Sequence, residues 1–266
     1  MDIDSIERRF TEMGAEVRFR PLGRSSRRSP LAVDVVHQDR REIFDVAVHS
    51  EAEFRVVDLR RDERHLLIHA TRPDEKRPFK FLCGHDERHW FVAGIPNDPG
   101  VSNVRTAMEA LKPKDVLEIQ SRVGLGWKDG LRRRNRVFLR QGEWFFIPDP
   151  NLVVDRRRVL RNEPMRRSFA SKPHIAECAY RTGGETVMVS HRAPQGLTMS
   201  DHASLVARDE QARKLPWVTM RRNPLLYVHG RIRHPDHATI VLDQWHRVLM
   251  NEEARAPSST GVVFLD

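Results

Sequence analysis

Between Tyr227 and Met250 the chain gathers His229, His234, Asp236, His237 and His246 into one short stretch with a β-strand pattern. Imidazole and carboxylate are the side chains that bind metals or move protons near neutral pH, so these five are the candidate catalytic residues. The chemistry they suit is phosphodiester hydrolysis, with a histidine as general base and Arg231 or Arg233 stabilising the charge that develops on phosphorus. His174 and His191 are candidate additions to the set.

Period-2 alternation places His229, Arg231 and Arg233 on one face of a strand and Val228, Gly230, Ile232 and His234 on the other. If that strand is regular, His229 and His234 point to opposite sides. His234-Pro235-Asp236-His237 reads as a turn, because proline presets φ and aspartate bonds its own backbone. His234 and His237 then converge only at the loop, with His246 arriving from the next strand. A metal needs three or four ligands at about 2.0 to 2.2 Å with supporting partners, a convergence that spacing alone does not encode. The competing reading is a set of ordinary surface and hairpin histidines.

A second constellation is cationic. Arg132, Arg133, Arg134, Arg136 and Arg140, followed by Arg156, Arg157, Arg158, Arg161, Arg166 and Arg167, bracket the aromatic run Trp144-Phe145-Phe146. Arginines that grip backbone phosphates beside rings that stack on bases describe a nucleic-acid surface, with Trp144 or Phe146 as the stacking residue if exposed. A core hairpin whose polar positions are arginine has the same pattern.

Other motifs are weaker. His174, Glu177 and Cys178 fall at i, i+3 and i+4, one face of a helix if a helix forms from Ser171-Lys172-Pro173 to Tyr180. His85 and His89 are also four apart, but a strand-turn-strand context makes them a solvated hairpin tip. Gly124-Leu125-Gly126-Trp127-Lys128 has neither phosphate-loop nor dinucleotide spacing and reads as a turn. No G-x-S-x-G elbow or calcium-binding loop occurs in the sequence.

The elements that must position these groups follow from the apolar pattern. Ile3, Ile6, Phe10 and Met13 predict an N-terminal amphipathic helix, and the Arg/Ser/Pro-rich stretch from Arg18 to Pro30 a connector. Leu31–Val36, Ile43–Val48, Phe54–Leu59, Leu66–Ala70, Phe79–Cys83 and Trp90–Ile95 predict an antiparallel meander. Two of its turns carry the same tetrapeptide, Asp62-Glu63-Arg64-His65 and Asp86-Glu87-Arg88-His89. A helix is expected from Val101 to Leu111, stopped by Pro113, then a hairpin over Val137–Ile147. The second half predicts a strand at Glu185–Ser190, a capped helix from Thr198 to about Leu215, and strands at Leu225–Arg233, Ala238–Leu242 and Arg247–Met250. The fold class is α+β, mainly antiparallel β-sheet with three or four short helices. The expected division is 1–30, 31–150 and 151–266, with the boundary between Pro148 and Pro173.

Bulk properties narrow the function classes. The 266 residues are 39% hydrophobic and 31% charged, far from a disordered composition. The net charge of +9 favours a polyanionic partner. The 46 basic residues comprise 7 Lys and 39 Arg, which suits bidentate phosphate binding but is also what a GC-rich genome writes. Cys83 and Cys178 are too few and too far apart for a disulfide scaffold. The N-terminus has neither a basic n-region nor an apolar h-region, and no apolar run reaches the ~20 residues of a membrane span, so a soluble, cytoplasmic protein without a membrane partner is expected. Three functions compete: nucleic-acid binding, RNA or DNA, through the arginine clusters; a histidine-dependent phosphodiesterase or nuclease, with or without a metal; and a non-catalytic module with a protein partner.

Overall fold

Short β-branched and aromatic runs between polar turns commit most of the chain to strands. The computed structural model, which describes residues 3–22, 30–73, 78–96, 100–167, 171–253 and 264–265, is an α+β protein dominated by antiparallel sheet. Among the described residues it has six helices, four of them of seven residues or more. Its contacts divide into two compact units, one of Met1–Phe145, Pro235–His237 and Met250–Ala256, the other of Phe146–His234, Ala238–Leu249 and Pro257–Asp266.

The first unit runs α1 (Ile3–Met13), β1 (Glu16–Pro21), β2 (Leu31–Gln38), β3 (Arg41–Val48), β4 (Glu53–Arg60), β5 (His65–Thr71), β6 (Phe79–Asp86), β7 (His89–Gly94), α2 (Val104–Ala110), α3 (Lys114–Arg122), α4 (Trp127–Gly130) and β8 (Leu139–Gln141). The expected single meander is two sheets. β4-β5-β6-β7 is a true antiparallel meander, whereas β2 and β3 form a separate sheet that β1 joins in parallel, in the order β1-β3-β2. The first part of the expected basic connector is therefore a strand, and residues 23–29 of it lie outside the described residues. Arg18 and Arg20 reach the same carboxylate, Asp45, at 2.9 and 2.7 Å. Burial raises the Asp45 pKa, but the bonds from Arg20 and Arg18 outweigh it and hold the carboxyl below its ordinary range.

The face of α1 that carries Ile6, Phe10 and Met13 packs on Phe44, Val46, Leu66, Ile68 and Cys83. Phe10 and Phe44 meet at a ring-centroid distance of 5.1 Å, and Phe44 meets Trp90 edge-on at 5.5 Å. Alternate residues of the meander, Leu67, Leu82 and Ala93, face the other way onto Val104, Ala107 and Leu111. Asn103 caps α2 by accepting from Thr106 N, while Pro113, expected only as a stop, also stands at the N-cap position of α3, without a side-chain capping bond. The two copies of Asp-Glu-Arg-His turn differently: Arg64, the third residue, takes positive φ in one, and Glu87, the second, in the other. Four identical residues do not impose one turn when their flanking registers differ.

The second unit carries most of β9 (Trp144–Pro148), a single 3-10 turn (Arg156–Arg158), β10 (Leu160–Met165), β11 (His174–Thr182), β12 (Glu185–Ser190), β13 (Ala193–Thr198), α5 (Met199–Arg208), α6 (Glu210–Arg213), β14 (Val218–Arg222), β15 (Leu225–His234), most of β16 (His237–Met250) and β17 (Phe264–Leu265). One sheet runs β10-β11-β15-β16-β9 and another β13-β12-β14-β17. The helix expected through Tyr180 is instead β11, because its backbone pairs with β10 on one side and β15 on the other. A two-sided ladder satisfies every backbone group that a helix would satisfy internally, so tertiary pairing overrides the helical spacing. The helix expected to Leu215 is broken at Asp209, whose carboxylate accepts from Gln211 N and Ala212 N and starts α6.

Phe10→Ala should lower the unfolding free energy by about 3 to 5 kcal/mol, the usual cost of a large cavity in a closed core, as measured by urea denaturation.

Candidate functional site: a histidine face and an arginine edge

The geometry of β15 hangs on one glycine. Ala176 pairs with Ile232, yet the next same-face residue of β11, Cys178, pairs with His229 rather than Gly230. Gly230 and Arg231 together oppose the single residue Glu177, a β-bulge, and Gly230 adopts a φ of +84°. Glu177 closes the irregularity: its Oε2 accepts from Arg231 N at 2.9 Å and from Arg231 Nε at 3.2 Å. Those bonds hold the Glu177 pKa below its ordinary value.

Directly paired residues project to the same side of a sheet. The bulge therefore reverses the parity of β15, and His229 and His234, expected on opposite faces, line the same one. On that face Ala176, Cys178 and Tyr180 of β11 pair with Ile232, His229 and Tyr227, and His174 and His234 lie one residue beyond the first pair of the ladder, Ile175 and Arg233. The His174 and His234 rings stack at 4.1 Å, with His174 buried. His229 lies against Trp245 at 5.6 Å, and Tyr180 meets the same indole at 6.3 Å. Cys178 sits between His229 and Arg161 in the cross-strand row, and its Sγ accepts a 2.8 Å hydrogen bond from Arg161 Nη1. Of the trio expected on one helix face, His174 and Cys178 do share a side, and Glu177 is on the other.

His246 is buried, with Nδ1 2.7 Å from Gln244 O. Burial pushes its pKa down, against the opposing pull of that carbonyl, so the ring is held toward its neutral form. Asp236 and His237 belong to the first unit, where His237 Nδ1 lies 3.5 Å from Glu87 Oε2. Burial lowers the His237 pKa, and Glu87 acts the other way. His191 is exposed. The second unit thus unites His229, His234, His174 and Cys178 on one face. Sequence periodicity missed that grouping, although an isolated glycine inside a strand pattern is the signal for a bulge.

The arginine clusters separate in kind. In the first unit Arg133 pairs with Asp86 and Glu87, Arg140 with Asp86 at 3.3 Å, and Arg132 with Asp129 at 3.3 Å. Arg136 donates to Val123 O, and Arg134 is exposed. Trp144 is 8% exposed and Phe146 0%, so neither ring can stack on a base. Their aromatic surface goes to the interior, which is where the hydrophobic effect takes a three-ring run. In the second unit Arg156, Arg157, Arg158, Arg161, Arg166 and Arg167 are all exposed, along the sheet-edge strand β10 and the segments flanking it. Among the described residues no carboxylate pairs with Arg156, Arg157 or Arg158. Arg158 rests over Tyr180 at 5.8 Å and Arg166 donates to Ser171 O at 3.2 Å.

No family model, curated protein or solved structure matches the chain.

Gly230→Ala should cost about 1 to 2 kcal/mol, because an L-residue is strained at this positive φ and the added Cβ would stand 2.9 Å from Glu177 Oε2. Urea denaturation against wild type measures it. Burial lowers the pKa of His246, and likewise of His65, His69 and His85, so between about pH 6.5 and the lower folded values the unfolded chain binds more protons. Stability should accordingly fall as pH drops below about 6.5, and His246→Gln should flatten that dependence in melts at about pH 5.5 and 7.5.

Proposed function

We propose that the protein binds nucleic acid through the arginine-rich edge of its second unit. The observation that carries this reading is where the positive charge remains uncompensated. The first unit has 29 Lys and Arg against 27 Asp and Glu, a net of +2, whereas the second has 17 against 10, a net of +7. Arg156, Arg157 and Arg158 are exposed residues of a single short turn, continuous in sequence with exposed Arg161 on the edge strand, and of the three Arg158 also donates to Arg181 O at 3.4 Å. Guanidinium groups so placed exchange condensed counterions for phosphate contacts, which supplies affinity without reading base sequence. With Trp144 and Phe146 buried, contact is to the phosphate backbone rather than to bases.

Fluorescence anisotropy with a generic single-stranded oligonucleotide tests the reading. Log affinity should fall linearly with log salt, and replacing Arg156, Arg157 and Arg158 together by Gln should make that slope shallower by about 2, at roughly 0.7 for each phosphate no longer neutralised. Affinity indifferent to ionic strength, or a triple variant that binds like wild type, refutes it.

A further inference from the structure

The first unit holds a cluster that the nucleic-acid reading does not use. His37 near the end of β2 and Glu42 near the start of β3 are direct cross-strand partners, so both side chains project to one side of that sheet. The β2–β3 turn between them, Asp39-Arg40, has both residues at positive φ, +48° and +66°, the form that matches the twist of a tight hairpin. From the other sheet, the first residue of β7, His89, meets the same carboxylate. His89 Nδ1 lies 2.6 Å from Glu42 Oε1, and His37 Nε2 lies 3.3 Å from that oxygen. The second carboxylate oxygen, Oε2, is engaged separately, accepting from Trp90 N at 2.8 Å.

We propose that His37, Glu42 and His89 form a binding site for a divalent transition-metal ion of the zinc class. The donor set is two imidazoles and one carboxylate, a combination suited to borderline-soft divalent ions. The three ligand atoms lie within 4.8 Å of one another. Ligands of a tetrahedral zinc at about 2.05 Å stand roughly 3.3 Å apart. His37 Nε2 already stands at 3.3 Å from Glu42 Oε1, and the 2.6 Å hydrogen-bonded contact of His89 Nδ1 opens by side-chain rotation as the ion takes the place of the shared proton. The Trp90 amide does what supporting partners do around metal carboxylates: it fixes the group so that Oε1 faces both histidines. The side chains of His37, His89 and Glu42 are 70%, 38% and 14% exposed, so an ion has an open path in. Three protein ligands also leave one coordination position for water or a ligand, the arrangement of reactive rather than closed structural zinc. His85 and His89, expected together at a solvated hairpin tip, are both half-buried, and their four-residue spacing plays no part in the site. His85 packs edge-on against Trp90 at 4.9 Å, and the second imidazole comes from another sheet.

The test uses full-length, tag-free protein stripped with a chelator and titrated with zinc chloride by calorimetry, with cobalt(II) visible spectra as a second readout. One ion per chain should bind saturably, and His37→Ala and His89→Ala should each weaken it at least about 10-fold and abolish the cobalt spectrum of a histidine-ligated site. His37→Ala is the decisive variant, because it leaves the Glu42 bond to Trp90 N intact and its fold can be verified by circular dichroism. His174→Ala should leave the titration unchanged. The proposal is overturned by absence of saturable binding in the wild type, by unchanged affinity in the two histidine variants, or by loss of the bound ion in His174→Ala instead.

Discussion

Strand β15 has two residues, Gly230 and Arg231, where β11 offers only Glu177, and the chemistry of the second unit depends on how that mismatch is absorbed. A regular ladder would send His229 and His234 to opposite faces, and with them any prospect of a shared environment. The left-handed glycine takes up the extra residue, and the Glu177 carboxylate satisfies the Arg231 amide that the bulge removes from the ladder. From that local accommodation follow the His174–His234 stack, the row of Arg161, Cys178 and His229, and the common indole shared by His229 and Tyr180. The device is local, but it sets which groups can meet over several residues in each direction.

Electrostatics in the two units follow different logics. In the first, guanidinium groups are matched to carboxylates: Arg18 and Arg20 on Asp45, Arg133 and Arg140 on Asp86, Arg9 and Arg61 on Glu12. The more exposed of these pairs, Arg9 and Arg61 on Glu12, contribute little to stability, but all of them cancel the field that would draw in a polyanion. In the second unit the cations outnumber the anions and gather along an edge strand and the segments flanking it, where positive side chains also discourage pairing with another sheet. The same arginines can therefore guard an edge and attract phosphate.

Glu42 joins two further themes, packing and ligation. Its carboxylate ties β3 to the Trp90 amide of a different sheet while facing two imidazoles, close to the point where Trp90 meets Phe44 of the core. A group anchored by a backbone amide and an adjacent packed ring holds its orientation at little entropic cost, which is the condition for a precise ligand.

How much of this was legible in the sequence depends on the range over which each feature is decided. The net charge, the α+β class, the six strands between Leu31 and Gly94, a polar cap at Ser102 or Asn103 and the α1 face of Ile6, Phe10 and Met13 are written locally, in composition, short-range periodicity and capping chemistry. Tertiary structure alone decided that His174–Thr182 is a central strand rather than a helix, because its backbone partners are Leu160–Met165 and Leu225–Arg233, one of them some fifty residues away. It also decided that Trp144 and Phe146 face inward, that His89 finds Glu42, and that His229 and His234 share a face. Side-chain alternation has a period of two, so periodicity says which residues go together only until a bulge inserts one more. Which strand lies alongside is settled by long-range pairing, which no local pattern contains.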